Sequence, residues 1–236
     1  MDKATLEQYL HIGSMIETGE LDRQKVLAII EGRLATPSAP SIREAQARRL
    51  YELKFGDVLG VKTFEAYLDG TDAIEAVPQI PYFPEVQVRL FGRENVWLVD
   101  GRVAEKVGPT EYLRLVGLGL SGTDDDLVPH DLMRVRSGIR WMIGQDGFRN
   151  RGRKPKDCRR LFQSFEVGMD WVEGAAVYAL NPKVINGHRV DLLGSVHRNE
   201  CALFHASLVV VGSGPRLCYR SNVYSDLLGG SSSRGE

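Results

Sequence analysis

His188, Asp191 and Ser195, three residue types used in acyl transfer, stand within one eight-residue stretch. A catalytic triad is a spatial arrangement, so closeness in sequence does not indicate one, and no GxSxG turn exposes a serine. Thiol chemistry would draw on Cys158, Cys201 and Cys218. Cys158 sits among cations that favour a thiolate, and Cys201 and Cys218 could face each other on neighbouring strands; the plainer reading is three small apolar side chains. Metal ligation would need His130, His188, His197 or His205 to converge with carboxylates. No HxH, HxxxH or HExxH spacing occurs, so neither a metal nor a cofactor is expected. The glycines of GLGLSG (117–122) lack the Lys-Ser/Thr that completes a phosphate loop.

The densest charge run is RNRGRKPKDCRR (149–160). It could track a phosphate backbone, or its arginines could pin neighbouring strands through carboxylates and carbonyls. The acidic DDD at 124–126 and the net charge of -1 favour pinning, so nucleic acid is not expected as a partner.

These residues must be held by elements of two kinds. Leu6, Leu10 and Ile16, with Tyr9 and Met15, form one apolar stripe ending at Gly19. Val26, Leu27, Ile29 and Ile30 form a second ending at Gly32, which predicts a helical hairpin. After TPSAPS, Ser41 and Glu44 fit a capping box that opens a third helix over SIREAQARRLYELKF. Pro78, Pro81 and Pro84 then break helical patterning. EVQVRLF alternates with period two and NVWLV follows a turn, which predicts a hairpin. PTEYLRLVGLGL opens with Pro109 in a helical first-turn position, and SGTDDDLVPHD reads as a loop. From Ile139 onward IRWMI, GAAVYAL, CALFHASLVVV and PRLCYR read as short strands in glycine-rich loops. The expected fold is α+β, with a helical region over 1–75 followed by a strand-rich domain over 76–236.

With 43% hydrophobic and 26% charged residues, the composition is that of a folded globular chain. The acidic N-terminus is not a signal peptide and no apolar run is long enough to span a bilayer. The expected location is therefore cytoplasmic, with display on a surface left open. Three widely spaced cysteines argue against a disulfide framework.

From Val184 to Glu236 the chain contains no Lys, Met, Trp or Gln, and Glu only at 200 and 236. By proportion about six or seven of the missing types are expected there. Disordered tails show such bias, but this stretch is rich in Leu, Val, Tyr and Cys, which disordered tails lack.

The runs QDGFRNRGRKPKDCR, EGAAVYALNPKVINGHRVDLLGSV and the terminal GSSSRGE resemble variable proteins of diversity-generating retroelements, of the type found in candidate-phyla bacteria. The resemblance covers roughly residues 138–236. In such systems error-prone reverse transcription at adenines turns Asn codons into a set excluding Lys, Gln, Glu, Met and Trp, which the bias matches. Glu200 then occupies a position that is not randomised. The resemblance implies a C-type-lectin-like domain, related in fold to formylglycine-generating enzymes, with a variable region over about 184–236. It further implies a non-catalytic protein that binds a macromolecular ligand, most readily a protein. The expected variable surface is Leu203, His205, Cys218, Tyr219, Arg220, Ser221, Asn222, Val223, Asp226 and Leu228. Asp191, Gly194, Ser195, Ser233 and Arg234 are expected as fixed scaffold. A shallow patch would gain from avidity, which makes a homo-oligomer a further expectation. Two alternatives stay open: a formylglycine-generating-type thiol enzyme using Cys201 and Cys218, and a nucleic-acid-binding module using 149–160.

Overall fold

The computed structural model describes residues 41–92, 94–129, 137–198, 204–212, 214–221 and 229–235. The two expected helices before residue 36 lie outside this set. Helix α1 (Ile42–Glu52) starts directly after Ser41 and is followed by α2 (Phe55–Leu59) and α3 (Phe64–Asp69). Glu85–Phe91 forms α4, which overturns the hairpin predicted there. Its buried residues are Gln87 and Phe91, four apart, so the burial follows a helix face although the apolar residues alternate. Strand β1 (Val96–Asp100) leads into α5 (Gly101–Leu115). The helix expected from Pro109 is the second half of α5, entered through a kink at Gly108, whose φ of 75° is left-handed.

Short strands β2 (Gly119–Leu120) and β3 (Leu127–Pro129) precede β4 (Ile139–Gln145), helix α6 (Pro155–Leu161) and β5 (Glu166–Gly168). Residues 171–180, WVEGAAVYAL, were expected to contain a strand and instead form α7 (Trp171–Leu180). Eight of its ten residues are buried, so no polar stripe marks a helical period. Its start is fixed by Asp170, whose side chain accepts from Glu173 N at 2.8 Å while Asp170 N donates to Glu173 Oε2 at 2.9 Å. The remaining strands are β6 (Arg189–His197), β7 (Phe204–Val211), β8 (Gly214–Ser221), β9 (Gly229–Ser231) and β10 (Ser233–Gly235).

The strands form two sheets, one ordered β1-β4-β10-β5 and antiparallel throughout, the other ordered β2-β8-β7-β6-β3 with β9 also beside β6. The fold is α+β. Leu98 and Ile143 of the first sheet, Leu192, Leu208 and Leu217 of the second, and Leu50, Phe55 and Tyr112 of the helices share one hydrophobic core. The sheets touch where β5 meets β6: a Cβ on Gly194 would lie 2.7 Å from the Gly168 carbonyl oxygen, so side chains are excluded there.

The helices after Ile42 belong to this core, so residue 76 is not a boundary; the compact unit runs from Ile42 to Glu236. Gln46 of α1 caps the free edge of β1 like a strand partner, donating to Val96 O at 2.8 Å and accepting from Leu98 N at 2.7 Å. Asp100, fully buried, accepts from Tyr67 Oη at 2.9 Å and pairs with Arg102 at 2.7 Å. Among the described residues no helix is long and apolar enough to cross a membrane.

Residues 229–235 bind both sheets. β9 runs parallel to β6, Ser232 donates its N–H and its hydroxyl to Asp191 O at 2.9 Å each, and β10 then fills the position between β4 and β5. Ser231, Ser232 and Ser233 are fully buried. Arg234, 2% exposed, places Nε 2.6 Å from Glu173 Oε1, an ion pair without the alignment of a good hydrogen bond. Arg140 of β4 donates to the same oxygen at 2.9 Å. Burial and the charge of Glu173 push the Asp170 carboxyl up to about 7, against the pull of the two guanidiniums. Replacing Arg234 by Ala removes one of the two guanidiniums that face the buried Glu173 carboxylate, and urea unfolding is expected to show a loss of about 3 kcal/mol. A loss under about 1 kcal/mol would mean the pair is peripheral to stability.

Candidate binding surface

In the β7–β8 pair the register sets His205 against Arg220, Ala206 against Tyr219, Ser207 against Cys218 and Leu208 against Leu217. Alternation puts Ala206, Leu208, Leu217 and Tyr219 on the core side and His205, Ser207, Cys218 and Arg220 on the other. Asp191 of β6 is paired with Ser207 and joins this second, polar face.

The polar face is built around Asp191, 1% exposed. Its Oδ1 accepts from Arg189 Nε at 2.7 Å and from Ser207 Oγ at 2.7 Å, and lies 3.1 Å from His205 Nε2. Burial alone would raise this carboxyl; the hydrogen bonds and charges of His205 and Arg189 outweigh it and hold the group well below the usual carboxylate range. The β9 residue opposite Asp191 is Ser231, fully buried. Among the described residues this polar face is buried at Asp191, His205 and Ser207 and becomes accessible along β8, at half-buried Cys218 and exposed Arg220.

This geometry sorts the expected variable residues. Leu203, Asn222, Val223, Asp226 and Leu228 lie outside the described residues. Arg220 is exposed, and Cys218 and Ser221 are half-buried beside it. His205 does not reach the surface: it is fully buried as a partner of Asp191, and a polar residue on a strand is taken inside when a buried acid offers it a charge. Tyr219 is on the core side, its ring edge-on to His197 at 4.7 Å and against Gly122. Burial and the nearby Asp126 and Asp124 push its hydroxyl well above the ordinary tyrosine value. Of the residues expected as scaffold, Asp191, Ser195, Ser233 and Arg234 are all buried, and Ser195 Oγ accepts from Trp171 N at 2.9 Å. Sequence reading missed Val210 and Val211, exposed apolar residues at the β7–β8 turn; the glycines of VVVGSGP were the signal that this end leaves the core.

Burial raises the Cys158 thiol against the Ser231 hydroxyl and the charge of Arg153. It likewise raises Cys218 against the charge and hydrogen bond of Arg220. Cys201 lies outside the described residues. Among those residues no three His, Cys, Asp or Glu side chains gather as a metal site would require. Comparison with known proteins finds no matching family model, no matching curated protein and no matching solved structure.

The depressed Asp191 carboxyl ties stability to pH. A group whose folded pKa lies below its unfolded value of about 3.9 gives stability that is present above that value and lost as pH falls below it. Asp191→Asn is expected to lower stability at pH 7 by about 3 kcal/mol and to flatten the decline in melting temperature between pH 5 and pH 2. An unchanged acid limb in that variant would show that other carboxylates govern acid unfolding.

Proposed function

We propose that this chain is a non-catalytic ligand-binding protein with a C-type-lectin-like scaffold. The outer side of β8 and the residues that follow it are the part diversified by retroelement mutagenesis. The observation that carries the reading is the position of residues 229–235. The last stretch of the compositionally biased segment is itself buried and hydrogen-bonded into both sheets. Within the biased segment β6 and the tail supply a buried frame, and between them only the positions that point away from the core, Arg220 among the described residues, can change without touching the packing of Ala206, Leu208 and Leu217. Within the described residues Arg220 is the side chain of this set that stands in solvent. Arginine suits such a place, since a planar fork of donors engages many partners.

Two measurements test this. DNA downstream of the gene should hold a near-copy of its 3′ end differing almost only at adenines, close to a reverse transcriptase gene; absence of both overturns the diversification. On the protein, Arg220→Ala and Ser221→Ala are expected to move unfolding free energy by no more than about 0.5 kcal/mol each, as surface changes do. A loss of 2 kcal/mol or more (roughly the cost of a core truncation) would place them in the scaffold and leave β8 without a variable face.

A further inference from the structure

The basic run 149–160 contains seven Arg or Lys and one acid. Strand pinning accounts for two of them: Arg149 pairs with buried Glu166, and Arg159 donates to Leu193 O at 2.9 Å. Arg151, Arg153, Lys154, Lys156 and Arg160 are all exposed. No ion pair links Arg153, Lys154, Lys156 or Arg160 to a described acid. Nor does the acidic trio at 124–126 neutralise them. Asp124 accepts from Thr110 N at 2.8 Å, Asp126 accepts from Thr123 N at 2.9 Å and lies 3.7 Å from His197, and the Asp125 carbonyl accepts from Arg198 Nε at 2.5 Å.

The run is held to the buried tail, so its exposed charges stand on a fixed base. Gly152 N donates to Gly229 O at 3.0 Å and Asn150 Nδ2 to Ser231 O at 2.7 Å, while Pro155 and Cys158 are buried. At its edge Phe148 is 62% exposed, its ring held edge-on by His188 at 5.9 Å, with the Arg151 guanidinium 5.3 Å from its centroid. A large aromatic left in solvent beside a row of cations on a near-neutral protein is the arrangement that stacks an unpaired base while neighbouring phosphates are neutralised.

We propose that Phe148 and the cations Arg151, Arg153, Lys154, Lys156 and Arg160 form a binding platform for single-stranded nucleic acid. This surface is separate from the outer side of β8 and does not rest on its diversification. An acidic peptide would meet the same charges but has no use for the exposed ring, and a duplex keeps its bases stacked away from it.

The test uses the full chain and a fluorescently labelled oligothymidylate, followed by anisotropy across a salt series. Binding is expected at low salt, with log K falling against log salt at a slope of about −3, as for four to five neutralised phosphates on a single strand. The triple change Arg153→Ala, Lys154→Ala, Lys156→Ala should weaken binding more than tenfold and reduce that slope. Phe148→Ala should weaken it about tenfold with the slope kept. Circular dichroism melts check that both variants remain folded; if either does not, charge reversal at Lys154 and Lys156 alone supplies the comparison. No binding by the unaltered protein at low salt overturns the proposal. Equal competition by polyglutamate, together with unchanged affinity in Phe148→Ala, overturns it in favour of an acidic protein partner.

Discussion

Glu173 is a buried acid on which three separate parts of the chain converge. It closes the first turn of α7 with Asp170, receives Arg140 from β4, and holds Arg234 from the tail. A carboxylate in that position is tolerable only while its counter-charges stay in place, because an unpaired buried charge costs several kcal/mol. Helix, sheet and tail therefore stand or fall together. The helix alone would not fix the tail, and the tail alone would not fix β4. The second sheet is joined to the same arrangement through Asp191, whose carbonyl receives Ser232 and whose carboxylate gathers Arg189, Ser207 and His205.

Those two acids divide the molecule into a part with no freedom and a part with some. Between them the tail makes hydrogen bonds to both sheets, and at Gly194 and Gly168 the sheets approach too closely for any side chain. Away from this zone β8 keeps one side in the core through Leu217 and turns the other outward. A surface that changes needs such a division, since substitutions are harmless only where the neighbouring groups do not depend on them. The basic run draws on the same rigidity: its arginines at 149 and 159 are committed inward, while Arg153, Lys154 and Lys156 between them are exposed.

The sequence disclosed some of this and concealed the rest for physical reasons. IRWMI was readable as a strand from its isoleucines and tryptophan and PRLCYR from Leu217 and Tyr219, and Ser41 marked the start of α1. The period-two pattern of EVQVRLF misled, since a seven-residue helix can bury Gln87 and Phe91 while Val86 stays exposed. Residues 174–180 misled in the opposite way: a helix buried on all sides has no polar stripe, and its signal was the Asp170–Glu173 cap. His205 looked like a surface group because its partner, Asp191, is brought beside it only by pairing of β6 with β7. The role of the SSSRG tail was partly legible from its small hydroxyl residues and single arginine, but not its place inside a sheet. The division of the charge run into inward and outward cations depended on Glu166 and Leu193, which no local pattern ties to it.

The place of β10 has a consequence for how the protein comes into being. Translation delivers β1, β4 and β5 first, yet β4 and β5 are not neighbours; the strand that joins them emerges only after β9. Until then both keep an unpaired edge, and Glu173 waits without Arg234. The nascent chain must pass through a long interval with open sheet edges on the ribosome, the condition in which strands from different chains pair with one another. The order of the strands thus sets which sheet edges close last.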